Sequence, residues 1–219
     1  MKQKITKPYL GGIFLAIVLV LLPAVSAFAS SPWQWQMSLY DNTRGDAMYM
    51  PSAVVVDPSS QRYYVVDTGN SRLVSFDKDG KLLKAFSAEG RLKAPFEMVR
   101  LDDGRLWVVE KGRNSLTLID IAAKTVTPHT LMDGERLVFP DRVAFSDGSL
   151  YVLDRASGQV LRLNDDLTIA QRYGCADCPG VIVDFVIDHG TVWALGTMGK
   201  DVYHFGSDGS VLQTINLGD

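Results

Sequence analysis

Residues 65–77 read VVDTGNSRLVSFD, two β-favouring apolar runs, Val65–Val66 and Leu73–Phe76, on either side of the polar turn Asp67-Thr68-Gly69-Asn70-Ser71. The same plan returns without a gap as VVEKGRNSLTLID from Val108, VLDRASGQVLRLN from Val152 and ALGTMGKDVYHFG from Ala194. Counted from Asp67 through Glu110 and Asp154 to Gly196, the steps are 43, 44 and 42 residues. A strand-turn-strand unit at that period is the signature of a propeller blade, which buries its apolar faces only against neighbouring copies of itself.

The rest of each repeat agrees. A strand precedes each stretch: SAVVVD to Asp57, MVRLD to Asp102, RVAFS to Ser146 and FVID to Asp188. Three of them run into Asp103-Gly104, Asp147-Gly148 or His189-Gly190, residue types that tolerate the positive φ of a tight hairpin, while the first uses Pro58-Ser59-Ser60-Gln61. The second strands are RYYVVD, RLWVVE, SLYVLD and TVWALG, each with an aromatic ring at one place (Tyr64, Trp107, Tyr151, Trp193) that is predicted to wedge between adjacent sheets. Hairpins at Lys78-Asp79-Gly80-Lys81 and Ser207-Asp208-Gly209-Ser210 lead into outer strands LLKAF and VLQTI. The reading is an all-β propeller of four-stranded antiparallel blades over residues 51–94, 95–139, 140–180 and 181–219.

These residues resemble the NHL-repeat β-propellers. The likeness is strongest in the first repeat, where Pro51 opens the inner strand and YYVVDTGNSRLVSFDKDGKLL follows, with Asp67, Gly69, Asn70, Arg72, Phe76, Asp79 and Gly80 in the family pattern. It weakens along the chain. The second repeat keeps Pro95 and Asn114 but has Glu110, the third keeps Pro140 and Asp154, and the fourth has Val181 and Gly196 in place of proline and acid. The resemblance covers residues 51–217 and implies a blade, not a reaction.

The N-terminus reads as an export signal over residues 1–29. Lys2, Lys4 and Lys7 precede an apolar run from Tyr9 to Leu22, Pro23 breaks it, and Ala27-Phe28-Ala29 forms a small-residue cleavage site. The run is short for a membrane span, which needs about 20 residues. An uncleaved anchor is the alternative, and the expected destination is the periplasm or the outside. Of the 22 basic residues 19 then remain against 25 acidic, a net charge of −6. Such a surface repels phosphate backbones and argues against nucleic acid as a partner.

A six-bladed ring at this period needs about 260 residues, whereas about 190 follow the signal. The four blades are therefore expected to be part of a six-bladed ring, with a tight ring of four or five blades or an open arc as the alternatives. Residues 33–40, WQWQMSLY, alternate apolar and polar and are expected to form the outer strand of a further blade, with residues 30–50 as strand and linker.

Cys175 and Cys178 are the two cysteines, in the sequence Gly174-Cys175-Ala176-Asp177-Cys178-Pro179-Gly180 between blades 3 and 4. In an exported chain they are expected to form a local disulfide, worth roughly 2 kcal/mol for so small a loop. Pro179 stands where covalent haem attachment needs a histidine.

No catalytic residue, cofactor or metal ligand is assigned. His129, His189 and His204 fall on different elements, whereas the amidating lyases of the resembled family and the related lactonase propellers gather histidines or acids around a central channel to hold a metal. Aligning the inner strands puts Ser52, Glu97, Asp141 and Val183 at one position and Ala53, Met98, Arg142 and Asp184 at the next, so Glu97, Asp141, Arg142 and Asp184 are candidates to ring the channel mouth and bind a ligand. Asn70 and Arg72 are further ligand candidates in the first turn, although aspartate, asparagine and arginine at such a turn also serve to cap it. Two functions remain: an exported, non-catalytic binding or scaffolding propeller for a protein, peptide or glycan of the cell envelope, or a lactonase-like or amidating-lyase-like enzyme with a divalent metal in its channel.

Overall fold

The computed structural model describes residues 34–40, 47–174, 180–198 and 201–218. The expected export segment and the Cys175–Cys178 pair lie outside them. Met37–Asp219 forms one compact unit.

Four four-stranded antiparallel sheets follow one another as propeller blades. Blade 1 consists of β1 (Pro51–Asp57), β2 (Arg62–Asp67), β3 (Arg72–Phe76) and β4 (Leu82–Phe86). Blade 2 consists of β5 (Pro95–Arg100), β6 (Leu106–Glu110), β7 (Ser115–Asp120) and β8 (Thr125–His129). A small hairpin that the repeat pattern does not announce, β9 (Met132–Asp133) and β10 (Arg136–Leu137), then precedes blade 3. Blade 3 has β11 (Pro140–Ser146), β12 (Ser149–Asp154), β13 (Gln159–Leu163) and β14 (Ile169–Tyr173). Blade 4 has β15 (Ile182–Asp188), β16 (Thr191–Gly196), β17 (Asp201–Phe205) and β18 (Val211–Asn216). Among the described residues the only helix is a 3-10 turn at Thr68–Asn70.

The core is a set of inter-blade layers, because side chains along a strand alternate between the two faces of its sheet. Each blade's forward face meets the next blade's backward face. Val66, Leu73, Met98, Val108 and Ile119 join blades 1 and 2; Trp107, Leu116, Val143, Val152 and Leu163 join 2 and 3; Tyr151, Tyr173, Phe185, Tyr203 and Phe205 join 3 and 4. The aromatic wedge holds where a following blade covers it: Trp107 is 8% and Tyr151 2% exposed. Tyr64 is half-buried against the blade 1–2 layer. Trp193 departs from the expectation. It lies on the forward face of blade 4, half-exposed, with His204 stacked on it at 4.0 Å between ring centroids and 6° between planes.

The four blades form an open arc. Val186 on the forward face of blade 4 is 62% exposed, and Val54 and Val56 on the backward face of blade 1 are 58% and 54% exposed; a closed four-bladed ring would bury all three. The predicted strand at 33–40 does not form among residues 34–40, since an outer strand needs a third strand beside it to pair with. Leu39 and Met48 instead pack on the backward face of blade 1, over Val65, Val74 and Phe76.

Candidate functional site

Every inner strand starts with a bulge. Pro51, Pro95, Pro140 and Ile182 pair with Asp67, Glu110, Asp154 and Gly196, and the next paired residues are Ala53, Glu97, Arg142 and Asp184. Ser52, Phe96, Asp141 and Val183 are the extra residues, and bulges of this kind re-aim side chains at a strand end. The register corrects the sequence alignment by one residue in blade 2. Glu97 shares its position with Arg142 and Asp184, whereas Met98, which pairs with Val108, holds the register position of Val54, Val143 and Phe185 and is buried with the last two in the core. The error comes from the hairpin: β5 ends at Arg100, and Leu101–Arg105 forms a looser turn with Gly104 at φ 89, so counting back from Asp102 lands one residue off.

The bulges bring four of the six predicted ligand residues together. Arg142 is the hub, with Nε 3.6 Å from Glu97 and 3.8 Å from Asp184, and one terminal nitrogen 3.0 Å from Asp141. Lys111, which sequence reasoning missed, places its ammonium 2.8 Å from the other Asp141 oxygen and 3.2 Å from the ring centroid of Phe96. Phe96 was missed as well. Its position one residue after a strand-opening proline was the available signal. On the blade 1 side the same bulges are tied by neutral groups: Ser52 Oγ donates to the Phe96 carbonyl at 2.5 Å and Thr68 Oγ1 to the Pro95 carbonyl at 2.6 Å.

The cluster is electrostatically mixed, with three carboxylates and two cations. Burial pushes the Glu97 carboxyl above its usual pKa, Arg142 pulls it down, and the negative charges of Asp184 and Asp141 add to the rise. Asp184, 62% exposed at its side chain, is the member most open to a ligand.

Asn70 and Arg72 lie elsewhere and are engaged in holding the chain. Arg72 Nε donates to Asp67 Oδ2 at 2.6 Å and Asn70 Nδ2 to the same oxygen at 2.8 Å, while Asp67 Oδ1 accepts the N–H of Tyr49 at 2.7 Å. Asp67, Glu110 and Asp154 are all fully buried. Glu110 accepts the N–H of Lys93 at 2.5 Å and the hydroxyl of Thr117, and Asp154 accepts the N–H of Phe139 at 2.9 Å and a terminal nitrogen of Arg136 at 2.7 Å. Burial raises the Asp154 pKa, but these donors and Ser157 outweigh it, and the net shift is downward. Close approach makes glycine necessary in the first turn: a Cβ on Gly69 would sit 2.1 Å from the Tyr49 ring.

The histidines remain apart. His129 lies 5.5 Å from the Trp107 ring, His204 stacks on Trp193, and His189 contacts Asp188 on the surface. Among the described residues no group of three or more His, Cys, Asp or Glu side chains is placed to hold a metal ion.

No family model matches the chain, and no curated protein matches it. Solved structures do. Virginiamycin B lyase from Staphylococcus aureus superposes with a TM-score of 0.61 at 12% identity, over 77% of this chain and 56% of that one. A streptogramin B lyase gives 0.62 at 13% identity, over 77% and 55%. A gluconolactonase from Xanthomonas campestris gives 0.57 at 23% identity, over 78% and 65%. The likeness is one of β-propeller fold, and this chain spans a little over half the length of the two lyases.

Proposed function

We propose that this chain is an exported NHL-type propeller that binds a protein, peptide or glycan at the bulged mouth of its inner strands and performs no chemistry of its own. The observation that supports this reading is the place of Arg142. Its guanidinium stands among Glu97, Asp141 and Asp184, so the point where three carboxylates converge is already taken by a positive charge that competes with a divalent cation for the same oxygens. What the mouth offers instead is fixed donors and acceptors of both signs beside an aromatic ring, a surface suited to polar recognition. Phosphate backbones are poor partners for it, because the surrounding chain is acidic.

The competing reading is a metal-dependent lyase or lactonase, the activities named for the lyase and gluconolactonase above. One experiment separates them. Peptide and glycan arrays are probed with the chain and with Arg142→Ala and Asp184→Ala variants, and metal content is measured on the same preparations. A ligand whose binding falls at least tenfold in both variants is expected. Stoichiometric calcium or zinc, with array binding indifferent to both substitutions, overturns the proposal.

A further inference from the structure

The strands of the repeat meet a second kind of site at their opposite ends, where the forward face of one blade faces the hairpins of the next. Between blades 2 and 3 a slot of about 440 Å³ opens there, with Trp107 and His129 on one wall and Phe145, Leu150 and Leu163 on the other. Asn164 to Leu167, the hairpin between β13 and β14, form its rim. Between blades 3 and 4 the equivalent space is filled by the chain itself. Tyr173 pairs with Val160 as His129 pairs with Leu116, so the two side chains hold the same position in successive blades. The Tyr173 ring is wholly buried, 6.1 Å from Tyr151 and 6.3 Å from Phe205, and its hydroxyl donates to the Ser207 carbonyl at 3.3 Å.

The residues that receive the Tyr173 ring have counterparts in the open slot. Trp107 stands for Tyr151, Leu163 for Phe205 and Asp165 for Ser207, and all three line the slot. The imidazole of His129 stands 5.5 Å from Trp107, in the near part of the space that the Tyr173 ring takes, and leaves the slot open beyond it towards Leu163 and Asp165. We infer that the slot between blades 2 and 3 is a binding site for a monocyclic phenol. Its ring lies between the His129 imidazole and Leu163, and its hydroxyl donates to the Asp165 carbonyl as that of Tyr173 donates to the Ser207 carbonyl. Apolar walls supply the burial and one backbone acceptor supplies the orientation, the usual division of labour in a small-ligand pocket. This site lies at the far end of the strands from the charged mouth and does not depend on the function proposed for it.

The test titrates 4-methylphenol, the tyrosine side chain as a free molecule, into the full chain, following the indole N–H of Trp107 by NMR. Saturable binding is expected, several-fold tighter than that of toluene, which lacks the hydroxyl. His129→Tyr, which fills the slot from within, is expected to lower the affinity at least tenfold while raising the melting temperature, and His129→Ala is expected to retain binding. N-acetyltyrosinamide run in parallel distinguishes a free phenol from a partner's tyrosine as the source of the ring. Binding that does not saturate, that is unaffected by His129→Tyr, or a His129→Tyr chain that fails to fold would each overturn the assignment, since a slot that fits a phenol must also fit this side chain.

Discussion

Asp154 Oδ1 accepts the backbone N–H of Phe139 at 2.9 Å, so the acid that ends the second strand of blade 3 holds the residue just before Pro140, where the inner strand begins. Asp67 likewise holds Tyr49 and Glu110 holds Lys93, each two residues before its strand-opening proline. The recurring acid thus ties the start of each of blades 1 to 3 to the end of its second strand, in a place water does not reach. Removing it leaves buried donors without a partner, each costing about 1 to 3 kcal/mol. Asp154→Ala is expected to cost about 3 kcal/mol or more in chemical denaturation, and Asp154→Asn less, because the amide oxygen still accepts. A loss under about 1 kcal/mol for the alanine variant would contradict this role.

Blade 4 has Gly196 where the others have the acid, and restoring the acid is expected to harm it. A Cβ at Gly196 would sit 2.8 Å from the Tyr203 ring, whose hydroxyl lies 3.2 Å from the buried carboxylate of Asp201. The acid has in effect moved to the neighbouring strand, and Thr197 takes over the tie, its hydroxyl accepting the N–H of Val181 at 3.3 Å. Gly196→Asp is expected to cost about 1 to 3 kcal/mol by overpacking. Adding Tyr203→Leu should recover part of that loss, and a double-mutant cycle in urea measures the coupling.

Trp107 and Trp193 hold the same register in blades 2 and 4 but face different surroundings. Trp107→Ala is expected to cost about 3 to 5 kcal/mol, as for a core ring. Trp193→Ala is expected to cost about 1 kcal/mol, since its half-exposed ring is stacked on His204 and covered by no following blade. Equal losses in thermal unfolding would show that the forward face of blade 4 is covered in solution.

The blade architecture was legible because it rests on a period of about 43 residues and on strands whose alternation survives wide variation in side chains. The mouth was legible only in part. Asp141, Arg142 and Asp184 could be placed by counting, but Glu97 was put one position off by the looser hairpin at Leu101–Arg105, and a bulge leaves no mark in the hydrophobic pattern beyond the proline before it. Lys111 and Phe96 come from different parts of the repeat, so only folding shows that the ammonium sits on the ring. Asn70 and Arg72 illustrate the converse: polar residues in an exposed-looking turn whose partner, Asp67, proves to be buried.

The pH response combines two shifts of opposite sign. Asp57 is lowered from 3.8 to about 2, chiefly by the hydroxyls of Ser59 and Ser60, with Arg100 of the next blade 3.1 Å away. A lowered carboxylate stabilises the fold above its ordinary value, so this contribution is present above about pH 4 and is lost as the pH falls towards 2. Glu97 is raised, with burial the largest cause, so its contribution is present below the ordinary glutamate value and is lost as the pH rises through the raised one. Asp57→Asn is therefore expected to lower the melting temperature at pH 7 and to converge with the parent near pH 2. Glu97→Gln is expected to match the parent near pH 4 and to melt higher at pH 7. Melting curves across pH 2 to 8 decide both, and a Glu97→Gln chain less stable than the parent at pH 7 would mean that the attraction of Arg142 outweighs the burial of the carboxylate.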